Sequence, residues 1–438
     1  MAGATPLDEE DARILALESG PIRGHTVKVL LVEDGPGPSA VSELSAAIEA
    51  NLAEAPRLRQ RLVHAPGTPA GLAWQEDPAF RIDGHVRAIR GGEPADEPAL
   101  RSAIARTMMD PLDREQPLWS LDVIPLLTDG RWALIWKVHH CLADGTTAMR
   151  IGSHLIWTEE APADDGATAT VGRSRPGTAS RPKPRSRLAT LAAYRGLFIR
   201  EFRRTASLSQ LATEVGPHRE VAFARCPLND LHDLGRAIGP KVTINDVLLA
   251  VVSGALRHWL LNRGAPATAM KVQVPVSMHA DPVGDEPGAN RDSFLLVNLP
   301  ISESDPIARI RSLNRATQLR KNRHDARAIY SMRQRISRVP GPLRRTVQQL
   351  VQGPHEYSLN VSNVPGPPTP IYVLGHRVDE LYSIAEVAPR HALRVAAVSL
   401  AGSLFIGLCA DADAVPDLDV IADGIPLSIK ELRERVAV

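Results

Sequence analysis

Residues 137–145 read "KVHHCLADG", two adjacent histidines followed by an Asp-Gly pair at the end of an apolar run. The preceding "RWALIWKV", residues 131–138, is short and rich in β-forming side chains, so it reads as a strand. After Gly145, "TTAMRIGSHLIW" returns to apolar residues at helical spacing. His139, His140, Asp144 and Gly145 therefore stand where a strand hands over to a helix.

Histidine serves several kinds of chemistry, and the neighbouring residues separate them. Successive side chains on a strand point to opposite faces, so His139 and His140 do not readily ligate one metal, and neither HExxH nor a cysteine cluster supplies further ligands. A nucleophile triad needs an activated Ser or Cys; there is no GxSxG elbow, and Cys141 reads as a buried, inert thiol. A pair of core histidines capped by a turn is the plain structural alternative. The pattern also fits a general base, because an imidazole with an ordinary pKa of about 6.5 accepts a proton near neutrality. In that reading Asp144 organises the loop by capping the next helix and pairing with an arginine, Arg291 being one candidate, and Gly145 supplies permissive backbone at the turn.

At 438 residues the chain fits two domains, and 44% hydrophobic with 23% charged residues is ordinary for a soluble globular protein. The net charge of +1 argues against a dedicated nucleic-acid binder. Three scattered cysteines, Cys141, Cys226 and Cys409, indicate neither a disulfide framework nor a cysteine zinc site and suit a reducing cytoplasm. The acidic start, "MAGATPLDEEDARILALESG", does not look like a secretory signal. The uncharged stretch 395–410 is shorter than the roughly 20 residues that span a bilayer and reads as two buried strands around a tight Ala-Gly turn.

Residues 158–187 are dense in Pro, Gly, Ser, Thr and charge and have little to bury, so they read as a disordered linker between an N-terminal domain, 1–157, and a C-terminal domain, 188–438. Both halves alternate strand-like and helix-like segments. "HTVKVLLVE" at 25–33 is strand-like, and the helical segment that follows has Ser39 as its expected N-cap. "TINDVLLAVVSGALRHWLLNRG" at 243–264 is the clearest helix, with Thr243 or Asn245 at its start and Gly264 as its stop. "MKVQVPVSM" and "SFLLVNLPIS" are strands. Residues 187–211 read as a basic amphipathic helix, which packs on its own domain or touches anionic lipid.

HHxxxDG is the signature of chloramphenicol acetyltransferase-like CoA-dependent acyltransferases, and "KVHHCLADG" resembles its form in the bacterial wax ester synthase/acyl-CoA:diacylglycerol acyltransferases. Pro117, Leu118 and Trp119 resemble that family's PLW segment, Asn245 and Asp246 its ND segment, and "SNVPGP", Ser362 to Pro367, its second-domain motif. The likeness covers nearly the whole chain. Met278 and His279 stand where the family usually has an apolar residue and then arginine, and "SLAGSL" replaces an expected Tyr-Asn pair.

The resemblance implies two α/β domains with mixed sheets flanked by helices and an active-site channel between them. It implies transfer of a long-chain acyl group from acyl-CoA to diacylglycerol or a long-chain alcohol, with acyl-CoA as co-substrate and no resident cofactor or metal. His140 would be the general base with His139 supporting it, and Asn245 would contact the oxyanion or the acceptor, a helix cap being the other reading of Asn245. Two further functional readings stand beside this one: acylation of a polyketide or glycolipid hydroxyl, and a non-catalytic lipid-binding paralogue. The expected location is cytoplasmic, with peripheral contact to the inner face of a membrane or a lipid droplet and no nucleic-acid partner.

Overall fold

The computed structural model describes residues 4–34, 39–68, 70–89, 94–159, 210–277, 292–323 and 357–436. The linker beyond Glu159, nearly all of the amphipathic segment 187–211, and Met278, His279 and Arg291 lie outside these residues.

In the first half the chain forms β1 (Thr5–Pro6), α1 (Glu9–Ala16), β2 (His25–Val32), α2 (Ala40–Asn51), β3 (Gln60–His64) and β4 (Leu72–Glu76). There follow β5 (Val86–Ala88), α3 (Glu97–Met109), β6 (Trp119–Ile124), β7 (Trp132–His139), α4 (Gly145–Leu155) and β8 (Thr158–Glu159). The second half forms β9 (Arg219–Pro227), α5 (Leu228–Ile238), α6 (Ile244–Asn262), β10 (Met270–Ser277), β11 (Asp292–Leu299) and α7 (Pro306–Arg323). It ends with β12 (Leu359–Val364), β13 (Ile371–Val373), β14 (His376–Ala385), β15 (Leu393–Leu400), β16 (Ser403–Asp411) and α8 (Leu418–Val436).

Two large mixed sheets carry the fold, one in the order β5-β6-β7-β2-β14-β13-β8 and the other β11-β10-β12-β15-β16-β9. A small third sheet joins β1, β4 and β3. The expected two-domain α/β architecture is what forms, but the sequence division is crossed. β13 and β14, assigned by sequence to the second domain, complete the first sheet: β14 runs antiparallel to β2, with Leu381 opposite Leu30 and Ile384 opposite Val27. Burial explains the crossing, since β2 is buried along its whole length and needs an apolar strand on each side. Val378, Leu381 and Ile384 supply it and belong to the first core, together with Val398 and Leu400 of β15.

Close contact between the sheets depends on Gly407 of β16, where an added Cβ would lie 2.3 Å from the carbonyl oxygen of Ser383 on β14. Glu380 pins the same seam, accepting from Arg131 at 3.1 Å and Arg225 at 2.7 Å, while Tyr382 stacks on Phe223.

α6 is long and apolar enough to cross a membrane, but its residues from Asp246 to Leu256 are buried within the second domain, as in a core helix. Gly264 ends it at φ +66°. Ala401 and Gly402, both at positive φ, make the tight turn expected between β15 and β16. Ser39 precedes α2 without the side-chain capping bond expected of it, because its backbone is already helical at φ −84°, ψ −9°.

Candidate active site

β7 pairs with β2 until His139 stands opposite His25, and the chain then turns away from the sheet. The amide of His140 donates to Gly24 O at 2.9 Å, and those of Leu142 and Ala143 both donate back to His139 O. The PLW segment braces this strand end: His139 N donates to Leu118 O at 3.0 Å, and the Trp119 indole donates to Leu58 O at 2.8 Å.

His139 is buried and held at both ring nitrogens. Nδ1 accepts from the Cys141 amide at 3.1 Å, which leaves Nε2 to donate to Glu18 at 3.0 Å. Burial alone would raise the Glu18 carboxyl, but hydrogen bonds from His139 and Arg114 outweigh it and hold the pKa at about 2. A Cβ on Gly24, itself at φ +68°, would lie 2.9 Å from His139 Nε2, so the close approach and the left-handed turn both require glycine.

His140 sits in a different environment, its Nδ1 enclosed while the residue as a whole keeps partial exposure. Burial and the charge of Arg394 push its pKa down to about 4, against the opposing pull of Asp144. The ring is therefore neutral at physiological pH and can accept a proton.

Asp144 is fully buried and is the N-cap of α4, its Oδ1 accepting from Thr147 N at 2.7 Å. Lys28 lies within its electrostatic reach: burial draws that ammonium down to about 8, and Asp144 acts against the shift. Lys28 Nζ donates to Ser383 of β14 at 2.7 Å, so the loop's electrostatics depend on a strand from the other half of the chain.

Gly145 departs from its expected role. It has no positive φ, so permissive backbone is not why it is glycine there. An added Cβ would instead meet Val364 Cγ2 at 3.0 Å, so its small size lets the first turn of α4 approach the "SNVPGP" segment. Gly366 of that segment is similarly confined, a Cβ there falling 2.0 Å from Ser399 O.

Asn245 is not the cap of α6. Thr243 and Asp246 form a capping box, and Asp246 also accepts from Asn314 at 2.9 Å and Thr317 at 2.6 Å, tying α6 to α7. Asn245 is exposed, and its Oδ1 accepts from Asn363 Nδ2 at 2.6 Å. The ND and SNVPGP segments, 118 residues apart, thus touch directly.

Sequence reasoning did not single out Glu18, Lys28 or Arg394. Arg394 has a weak signal, a charge within the apolar run "LRVAAVSL", whereas Glu18 lies in a segment with no periodicity to place it. Cys141, Cys226 and Cys409 are free and buried, and among the described residues no group of three or more His, Cys, Asp or Glu is placed to hold a metal.

Comparison with known proteins gives a consistent result. Residues 7–248 match the wax ester synthase/diacylglycerol acyltransferase catalytic domain, and residues 289–433 match the C-terminal domain of the same family. A probable diacylglycerol O-acyltransferase of Mycobacterium tuberculosis is 30% identical over 425 residues, covering 93% of this chain and 90% of that protein. The wax ester synthase/diacylglycerol acyltransferase of Marinobacter aquaeolei VT8 superposes with a TM-score of 0.70 at 23% identity, covering 99% of this chain and 100% of the other. The starter condensation domain of rhizomide synthetase superposes at 0.63 with 14% identity, covering 100% and 95% respectively. At these identities the two structural likenesses are of fold. The family matches span both halves and the PLW, HHxxxDG, ND and SNVPGP segments, and the chain belongs to the wax ester synthase/diacylglycerol acyltransferase family.

Proposed function

We propose that the protein transfers a long-chain acyl group from acyl-CoA to the hydroxyl of diacylglycerol or a long-chain alcohol, giving triacylglycerol or a wax ester and free CoA. The observation that carries this reading is the meeting of the HHxxxDG loop with the second domain, where Gly145 abuts Val364 and the charge of Arg394 acts on His140. A base at a seam between two domains can meet substrates that enter from either side.

His140 takes the hydroxyl proton as the oxygen attacks the thioester carbonyl. Its low pKa keeps it neutral before the reaction and makes its protonated form a strong acid, which readily gives the proton to the departing thiolate. The C–O bond forms, the C–S bond breaks, and the proton ends on sulfur, so no covalent acyl-enzyme is needed. Asp144 holds the loop through the cap of α4, and His139 holds the strand end through Glu18. Asn245 contributes to the wall that receives the acceptor, and acyl-CoA acts as co-substrate without a resident cofactor. The setting is cytoplasmic, with peripheral access to a membrane or lipid droplet that supplies apolar acceptors.

The test is release of free thiol from palmitoyl-CoA with and without diacylglycerol or hexadecanol, in wild type, His140→Ala and His139→Ala. Wild type should release thiol only with an acceptor. His140→Ala should lose on the order of 10² to 10⁴ in rate while melting normally, the usual span for a lost proton acceptor. His139→Ala leaves Glu18 with Arg114 alone and removes the acceptor of the Cys141 amide, and should lower the melting temperature with a smaller loss of rate. Normal turnover by folded His140→Ala would contradict the mechanism.

A further inference from the structure

The wall of the second sheet that faces the histidine loop carries a row of polar side chains. On β12, Leu359 and Val361 point into the second core, so Asn360 and Ser362 face the other way. Val364, on that same face, is the residue that meets Gly145. Gln273 of β10 and Arg394 of β15 stand opposite Asn360 in register, and Arg394 is the cation whose charge acts on His140. Asn360 thus lies one strand away from a residue in the electrostatic field of the proposed base.

Asn360 is 7% exposed. Its Nδ2 donates to Gln273 Oε1 at 3.1 Å, but its Oδ1 is enclosed and has no hydrogen-bond donor among the described residues. A buried amide oxygen without a donor is costly and uncommon in folded proteins. Its position beside the reaction site points to a donor that arrives with substrate.

The reactants narrow the choice of donor. Diacylglycerol and a long-chain alcohol each carry one O–H, and that proton goes to His140. The acyl chain and the thioester carry none. On acyl-CoA the donor nearest the sulfur is the first amide N–H of the pantetheine arm, two methylenes away. We infer that Asn360 Oδ1 accepts a hydrogen bond from this amide, making Asn360 a residue that positions the thioester for attack. The inference rests on the acyl-transfer reading given above.

The experiment uses the full-length protein, a saturating acceptor, and two donors: the palmitoyl thioester of N-acetylcysteamine, which keeps the first amide, and its N-methyl analogue, which lacks the N–H. In wild type, N-methylation should lower kcat/KM about 3- to 10-fold, the span of one buried neutral hydrogen bond. Asn360→Ala should lower kcat/KM for the unmethylated donor by a similar factor and erase the difference between the two, while a separate titration of the acceptor at fixed thioester should give an unchanged acceptor KM. Asn360→Ser serves the same comparison if the alanine variant does not fold. A wild type that ignores methylation places water on Asn360 Oδ1 and overturns the inference, as does a methylation effect that persists in the variants or a change confined to the acceptor KM. A wild type that turns over neither these thioesters nor palmitoyl-CoA overturns the acyl-transfer reading as well, so the two failures are distinguishable.

Discussion

Gly145 and Val364 are in contact: a methyl group added to Gly145 would lie 3.0 Å from Val364 Cγ2, although the two residues come from different halves of the chain. The first turn of α4 and the end of β12 are held together at that point. The HHxxxDG loop is therefore positioned by the second domain as well as by its own strand and helix.

Gly145→Ala should accordingly reduce turnover by displacing the loop, with a modest cost in stability because the alanine suits the helix that begins there. Val364→Ala removes the obstructing methyl groups and should restore much of the lost activity when combined with Gly145→Ala. The measurement is a double-mutant cycle on kcat/KM, with an expected coupling on the order of 1 kcal/mol for two residues in contact. Strict additivity would mean that glycine is needed there for another reason.

Asp144 combines two roles, and substitution can separate them. Asn caps a helix about as well as Asp, so Asp144→Asn keeps the bond to Thr147 and removes only the buried charge near Lys28. It should lower stability, because the buried Lys28 ammonium keeps its bond to Ser383 but loses the negative charge that favours its protonated form. Asp144→Ala should lose about 1 kcal/mol more with the cap. Lys28→Met should cost less in the Asp144→Asn background than alone, because it then removes a cation whose counter-charge is already gone. Unchanged denaturant unfolding in Asp144→Asn, with activity lost, would move Asp144 from architecture into the chemistry.

The local features were legible in the sequence because local patterns set them. The turn at Ala401 and Gly402, the start of α4 at Asp144 and the stop at Gly264 each follow from backbone demands within a few residues. Long-range pairing was not. "HRVDELYSIA" forms β14, but nothing in its sequence says that Leu381 will stand opposite Leu30 in the other domain's sheet, because any buried apolar strand offers the same edge. Asn245 shows a similar limit. Thr243 and Asn245 are both good caps, and the choice fell to Thr243 because Asp246 closes the capping box with it, leaving Asn245 to bond Asn363. Of the candidate site, the residues inside motifs were named in advance, whereas Glu18, Lys28, Asn360 and Arg394 gain their roles only from partners distant in sequence.

Buried histidines set the acid limit of the fold. Burial is the leading cause in each case, holding His25 at about 3, His140 at about 4 and His391 at about 4, all below their ordinary 6.5. Between pH 6.5 and 4.5 the unfolded chain protonates these rings and the folded chain does not. Glu386 has the opposite sign: burial raises it from 4.5 to about 7 despite Arg219, so over the same window the folded state holds a proton that the unfolded state releases. Three histidines, with His85 shifted the same way by burial, against one carboxyl leave the unfolded chain with at least about two more bound protons, so stability should fall on acidification, by roughly 2–3 kcal/mol per pH unit or more where the slope is steepest. Denaturant unfolding at pH 7, 6 and 5 should show progressively lower midpoints, and His391→Phe, which keeps a ring against Tyr357, should reduce the slope by about one proton. Over pH 6 to 8, kcat/KM should stay flat on the acid side, since His140 is already neutral there. An acid limb near 6.5 would show instead that the ring titrates as it does in water and that the enclosed setting found for His140 is not the one that reacts.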